Sequence, residues 1–338
     1  MSKIPIILGI ESSCDDTCAA ILQGQKILSN IVANQDIHKI YGGVVPELAS
    51  RAHQQNIIPV VDAAIKKAKI KKEDITAIAF TKGPGLLGSL LVGGSFAKSF
   101  AMGMNIPLIA VNHMQGHILS HFIDEGNPMP KFPFLCLTVS GGHTQIVKIE
   151  SPNKMKVIGT TIDDSAGEAF DKSARILDLS YPGGPLIDKY AKNGNSHAFE
   201  FGKPKIKELN FSFSGLKTSI ARLIQKGVVD NHNFISENLE DLCASIQHSI
   251  VNILLKKLEK AIKQTGIKQL AIAGGVSANS YLRSELEKLT KIKGYQLYIP
   301  KFEYCTDNAA MIAIAGYFKY LNKDFTDQSE TPSARLFF

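Results

Sequence analysis

Val111-Asn112-His113-Met114-Gln115-Gly116-His117 sets two imidazoles four residues apart. On a helix that spacing puts both rings on one face, one turn apart. Neutral imidazole is a common metal ligand, so the pair reads as two thirds of a metal site. Histidines at this spacing also serve as ordinary surface or core residues. A third ligand must come from elsewhere, and a carboxylate would leave open positions for a substrate. Asp307, at the start of an expected helix, is the best-placed acid, although a carboxylate there caps its helix by default. Cys305 is a rival ligand. A zinc protease of the H-E-x-x-H type needs Glu beside the first His, and Met114 stands there, which disfavours proteolysis by that route.

A second set of residues suits anion binding. Ser140-Gly141-Gly142-His143 lies between two expected strands, where glycine lets the backbone approach a phosphate. The plainer reading is a Gly-Gly hairpin turn. Gly274-Gly275 sits between an expected strand and a helix, whose amino end favours anions. Its plainer reading is a tight strand-to-helix turn. Asp171 and Asp188 fall on helices nearby in sequence, able to accept from ribose hydroxyls or simply to be surface acids.

The elements that must position these groups repeat. Residues 6–11 form an apolar run ending in the polar turn Ser12-Ser13-Cys14-Asp15-Asp16, and strands are expected over 17–22 and 26–32. A helix over 46–69, a strand over 75–81, a glycine-rich helix over 86–102 and a strand over 107–111 follow. The last strand delivers the His pair at its carboxyl end, where α/β sheets gather ligands. The pattern restarts at 134–139, with strands over 144–149 and 156–161, which reads as a divergent internal duplication. Helices are expected over 166–177, 184–191, 239–265 and from the 274–279 turn to 289, with a strand over 269–273. Residues 193–211 read as irregular. A last helix is expected over 306–321, and the polar tail from 324 as loosely held.

With 338 residues and 44% hydrophobic content, the chain suits one large or two medium domains. The net charge of +7 comes from lysine-rich composition with only five arginines, which permits a nucleic-acid partner without demanding one. Lysines cluster over 66–72 and at Lys203, Lys205 and Lys207. Five cysteines without a C-x-x-C point to reduced thiols in a cytoplasmic setting. The apolar start is too short and too soon acidic for a signal peptide, and the apolar stretch 86–111 is broken by Lys98 and glycines, so no membrane span is expected.

Taken together, Gly9-Ile10-Glu11-Ser12-Ser13-Cys14-Asp15-Asp16, Gly83-Pro84-Gly85, Asn112 to His117, Val139-Ser140-Gly141-Gly142-His143, Gly167-Glu168-Ala169-Phe170-Asp171-Lys172, Tyr181-Pro182-Gly183-Gly184-Pro185, Phe213-Ser214-Gly215-Leu216-Lys217 and Gly274-Gly275-Val276-Ser277-Ala278-Asn279 resemble the bacterial tRNA N6-adenosine threonylcarbamoyltransferase family. The resemblance runs from about Ile6 to about Gly316. It implies an α/β, two-lobed fold of the actin-like, sugar-kinase-like ATPase kind, with duplicated ribonuclease-H-like domains. The lobes would be 1–111 plus 307–338 and 112–306, with the active-site cleft between them. It implies transfer of a threonylcarbamoyl group from threonylcarbamoyl-adenylate to N6 of adenosine 37, in tRNAs reading codons that begin with adenine, with release of AMP. By the family pattern His113, His117 and Asp307 hold one Fe2+ per subunit, or Zn2+ in some preparations. Val139, Ser140, Gly141, Gly142, His143, Asp171, Gly184, Asp188 and Asn279 would bind the adenylate. The implied partners are tRNA, an inactive paralogue and a small ATPase of the same pathway, or a second copy in a homodimer. The rival reading on the same fold is an ATP-dependent kinase or ATPase, which would use magnesium with acidic ligands and need no His-His-Asp set. No Ser-His-Asp or Cys-His order is apparent, and no general base is assigned.

Overall fold

In the computed structural model, residues 4–202 and 206–338 are described; Lys203 and Lys205 lie outside them. Two five-stranded mixed sheets organise the chain. In the first, β1 (Ile6–Glu11), β2 (Thr17–Gln23) and β3 (Lys26–Ala33) form an antiparallel meander. After α1 (Pro46–Ala68), β4 (Ala77–Gly83) pairs parallel to β1; after α2 (Leu87–Met104), β5 (Leu108–Asn112) pairs parallel to β4. The order is β3-β2-β1-β4-β5. β1 is buried along its whole length, as a central strand covered on both faces requires. Ile57, Val60, Val61 and Ala64 of α1 share one core with Leu8, Ile21 and Phe80 of the sheet.

The second sheet repeats this wiring. β6 (Phe134–Val139), β7 (Thr144–Ser151) and β8 (Lys154–Thr160) form the meander, β9 (Gln269–Ala273) pairs parallel to β6, and β10 (Gln296–Tyr298) pairs parallel to β9. The order is β10-β9-β6-β7-β8, the same as in the first sheet. The expected duplication is therefore present, and the fold is the actin-like, sugar-kinase-like one built on two ribonuclease-H-like sheets. Between β8 and β9 run α4 (Ala166–Ile176), α5 (Gly183–Tyr190), α6 (Ser214–Asp230) and α7 (Phe234–Thr265); α8 (Ser280–Lys293) follows β9. Their apolar faces share one core with β6 and β9.

The chain divides into two compact units. One runs to Pro130 and includes Glu150–Met155 and Pro300–Phe338; the other comprises Lys131–Ile149 and Lys156–Ile299. The expected boundary after Val111 falls later because α3 (His113–Leu119) packs on α9 (Ala309–Leu321), within the first unit.

Three further expectations change. α6 and β10 have no counterpart among the elements expected from sequence. The last helix starts at Ala309, not at residue 306. The tail is not loose: Thr326 N–H donates to Leu108 O at 2.8 Å and Ser333 N–H to Lys82 O at 2.8 Å, so it is pinned along β4 and β5. Among the described residues no helix is long and apolar enough to cross a membrane.

Candidate active site

β5 ends at Asn112, whose Oδ1 accepts from Met114 N–H at 2.9 Å and Gln115 N–H at 3.3 Å. This cap starts α3 at once, so the strand hands His113 directly to the first helical position. His113 and His117 then share one face, with rings 4.7 Å apart and perpendicular. Gly116 lies between them because α9 is close: a Cβ there would meet Ile312 Cδ1 at 3.1 Å and Met311 O at 3.3 Å.

Asp307 joins them. Its Oδ1 lies 3.3 Å from His113 Nε2 and 3.3 Å from His117 Nε2, and the three ligand atoms lie within 4.8 Å of one another. Contrary to the default reading of its position in the sequence, Asp307 does not cap its helix. Asn308 takes that role, accepting from Met311 N–H at 3.0 Å, and leaves the aspartate free to face the imidazoles. His117 is 1% exposed, and neither of its ring nitrogens has a hydrogen-bond partner, despite the closeness of Asp307. With Nδ1 unpartnered and Nε2 facing only the Asp307 carboxylate, the buried ring is poorly satisfied, at a cost on the order of 1–3 kcal/mol. A cation among two Nε2 atoms and a carboxylate removes part of that cost. Two imidazoles and one carboxylate are a donor set that suits iron(II) or zinc(II) with positions left open. The residues present fit such an ion.

Glu11, fully buried at the end of β1, supports the set. Its Oε2 lies 2.9 Å from His113 Nδ1 and accepts from Thr81 Oγ1 at 2.6 Å; its Oε1 accepts from Ser13 N–H. A carboxylate facing Nδ1 keeps the proton there and leaves Nε2 free to act as a ligand. Burial opposes the charged form of His113, but Glu11 and Asp307 outweigh it and raise the imidazole well above its usual range. Burial would likewise raise Asp307, yet His113 and His117 hold it well below the carboxylate range. His117 is lowered, chiefly by burial. Sequence reasoning gives Glu11 no role. The signal is there nonetheless: an acid closing an otherwise apolar strand.

The Ser12 to Asp16 turn beside Glu11 is held by His53, also fully buried. His53 Nε2 lies 3.0 Å from Cys14 O and must donate to it, so Nδ1 accepts from the Thr17 hydroxyl at 2.7 Å. Asp16 is pushed up to about 7 by burial, then by Asp15 and Asp307, a mark of crowded negative charge at this corner.

The other expected site residues lie in the second unit. Val139 ends β6. In the turn after it, Ser140 N–H donates to His143 O at 2.8 Å and Ser140 Oγ accepts from His143 N–H at 3.0 Å. Ser165, the cap of α4, donates to Gly141 O at 2.5 Å, and Gly167 N–H donates to Ser140 O at 3.2 Å, so the start of α4 is fastened to the turn. Gly141 and Gly142 remain exposed. Asp171 on α4 accepts at Oδ1 from Gly183 N–H (2.8 Å) and Gly184 N–H (3.3 Å), the first amides of α5. Burial raises its pKa although these two donors oppose the shift. Asp188 on α5 accepts from Ser280 N–H and, at 2.8 Å, from Ser280 Oγ at the start of α8. Asn279 caps α8 through Oδ1 and donates to Gln247 Oε1 at 2.7 Å. Asp171, Gly184, Asp188 and Asn279 are thus brought into one chain of helix ends.

Asp163 is absent from the sequence-derived set. It accepts from Phe213 N–H at 2.8 Å and from Ser214 Oγ at 2.8 Å, capping α6 from a distant loop. Burial opposes its charge, but Ser212, Phe213 and Ser214 hold it below its usual value. Of the lysine clusters, Lys66 pairs with Asp62 at 2.7 Å and Lys207 is exposed.

A family model described as tRNA N6-adenosine threonylcarbamoyltransferase matches residues 26–314. The chain is 63% identical over 333 residues to the protein of that name from Christiangramia forsetii, covering 98% of each chain. It is 61% identical over 334 residues to the one from Riemerella anatipestifer, again 98% of each. Among solved structures it is similar to full-length HypF in its phosphate- and nucleotide-bound form, with TM-score 0.61 and 13% identity over 94% of this chain and 46% of that one. It is similar in the same way to HypF of T. kodakarensis, with TM-score 0.60, 12% identity, and 97% and 49% coverage. The HypF likeness bears on the fold alone.

Proposed function

The chain belongs to the tRNA N6-adenosine threonylcarbamoyltransferase family, and from that premise we propose that it moves a threonylcarbamoyl group from threonylcarbamoyl-adenylate to N6 of adenosine 37 of tRNA, releasing AMP. The observation that carries the reading is the convergence of buried His113 and His117 with the half-buried Asp307 in one centre. A kinase or ATPase on this fold would have no use for two imidazoles there, and the relatives above carry a transferase name.

The chemistry sets the demands. The carbamoyl carbon of a mixed anhydride is attacked by an exocyclic amine whose lone pair is delocalised into the adenine ring. The new C–N bond forms, the C–O bond to phosphate breaks, AMP leaves and N6 loses a proton. Orientation of the two reactants supplies much of the acceleration, on the order of 7 kcal/mol or more at best. An iron(II) or zinc(II) ion held by His113, His117 and Asp307 would supply Lewis acidity toward the carbamoyl oxygen. Glu11 keeps the His113 proton on Nδ1 and so keeps Nε2 turned toward Asp307. The exposed Gly141 and Gly142 amides suit the phosphate, as negative charge builds on departing AMP. Asp171 and Asp188 suit the ribose hydroxyls. Adenosine 37 lies in a single-stranded loop, which can present its base edge without opening a duplex. Exposed lysines, Lys207 among them, suit the phosphate backbone. The proposed setting is the cytoplasm, with a paralogue and a small ATPase of the same pathway or a second copy of this chain as partner.

The test uses purified protein, synthetic threonylcarbamoyl-adenylate and an unmodified tRNA transcript, reading AMP release, nucleoside masses and bound metal. The expected result is stoichiometric AMP and modified adenosine with one ion per chain. AMP without modified tRNA, or ATP hydrolysis alone, would sink the reading.

A further inference from the structure

We propose that the carboxyl-terminal segment, Thr326 to Phe338, is a strap that positions the α3 ligands and sets how tightly the His113–His117–Asp307 centre holds its ion; this rests on the metal reading above.

The strap is fastened at several points, all within the first unit. Near its start, Thr326 N–H bonds to Leu108 O, and the Lys98 ammonium grips Gln328 O at 2.9 Å and Glu330 O. Glu330 in turn pairs with Lys82 at 2.8 Å. Then Ser333 N–H bonds to Lys82 O, and Gly85 N–H donates to Ala334 O at 3.2 Å. The seat is close: a Cβ on Gly83 would lie 1.9 Å from Ser333 O, and the φ of +152° there also favours glycine. At its end, Phe337 O accepts from Asn112 Nδ2 at 3.3 Å.

Two routes lead from these fastenings to the centre. The short one is Asn112, whose other side-chain atom caps α3 one residue before His113. A cap that is itself held by the strap fixes the entry angle of the helix and, with it, both imidazoles. The second runs through the Gly83-Pro84-Gly85 turn. Leu86 N–H donates to Ser13 O at 2.7 Å, and the Ser13 hydroxyl lies 3.1 Å from His113 Nδ1, beside Glu11. Removing the strap thus loosens one face of α3 and one side of the His113 ring together.

The hold is mostly polar. A cleft of about 250 Å³ remains beneath the strap, lined by Lys82, Asn112, Gln115, Lys319, Glu330 and Phe337, and Phe337 is 84% exposed. Detaching the end of the strap therefore empties no hydrophobic core. Groups that orient metal ligands commonly change affinity about 10–100-fold when removed, and an indirect one belongs at the lower end.

The experiment compares the full chain with a variant ending at Pro332 and with Lys98→Met, which leaves every site residue in place. Dissociation constants for zinc(II), and for iron(II) without oxygen, come from chelator competition; hydrogen exchange reports the Met114 and Gln115 amides. The truncated chain should bind either ion about tenfold more weakly, with faster exchange at both amides. Its kcat should fall while KM for the adenylate stays put. Lys98→Met should shift the same quantities the same way by less, and it decides the matter if the truncated chain does not fold. Equal affinities and equal exchange in the three proteins would overturn the strap. A full chain that binds neither ion would overturn the metal reading, and the exchange rates would still judge the strap.

Discussion

The two sheets share one strand order, yet the residues at their loops do opposite things with charge. In the first unit, buried Glu11 and His113 meet the half-buried Asp307, and the three shift one another's proton affinities. In the second, Asp163, Asp171 and Asp188 sit on backbone amides and hydroxyls at the starts of α6, α5 and α8. The first arrangement concentrates formal charge, which needs a cation. The second commits helix-start amides to its own carboxylates and leaves the exposed Gly141-Gly142 amides for an anion. A duplicated scaffold thus repeats the strands, while the side chains on its loops and helices decide what each unit holds.

That contrast can be broken from either side. The largest effect is expected for Asp307→Ala, which removes a ligand: bound ion should be lost and transfer should fall by roughly a hundredfold or more, since even outer groups are worth 10–100-fold. Adenylate binding by calorimetry should be unchanged; full retention of the ion would end the contrast. Glu11→Gln keeps the shape but removes the charge behind His113 Nδ1. Metal affinity should drop about tenfold in a chelator titration, and an unchanged value would make Glu11 a purely structural acid.

On the dipolar side, Asp171→Ala should weaken the adenylate several-fold, a loss of about 1 kcal/mol, without altering bound metal. It also removes the acceptor for the first α5 amides, so Asp171→Asn, which keeps an acceptor, should recover folding but not binding. Loss of metal and adenylate together would mean the two sites are not separable. The smallest effect belongs to Asp163→Asn. The native carboxyl lies below its unfolded value of 3.8, so it stabilises above that pH and the benefit fades as pH falls through the native value. Asn keeps an acceptor for the α6 amides, so the variant should melt within about a degree of the parent at neutral pH. Its stability should also fall less steeply below about pH 4. Parallel acid curves would remove Asp163 from the account.

The parts legible in the sequence were those with a local signature. The repeated strand–turn–strand–strand layout was readable from apolar runs and polar turns, and the His pair from its spacing. α6 carries Leu216, Ile220 and Ile224 on one stripe and could have been read, but its cap comes from Asp163, some fifty residues upstream, so no start signal stands beside it. β10 has three residues, too few for alternation to show. The tail looked loose because its sequence is polar; its partners, Lys82, Lys98 and Asn112, are remote in the chain, and backbone hydrogen bonds leave no trace in side-chain pattern. Glu11 was visible as a residue, but its meeting with His113 depends on β1 and β5 both flanking β4.

The Asp307-Asn308 pair shows how narrow such a division of labour is. Asp and Asn are near-equals as helix caps, so exchanging them would keep composition, net charge and a capped α9. Only the direction of one carboxylate would change, away from the two imidazoles. Two chains that differ by this transposition would look alike to any measure built on content or on hydropathy, and the helix would melt at nearly the same temperature. They would part company in the order of two adjacent letters, which is where the capacity to hold a cation resides.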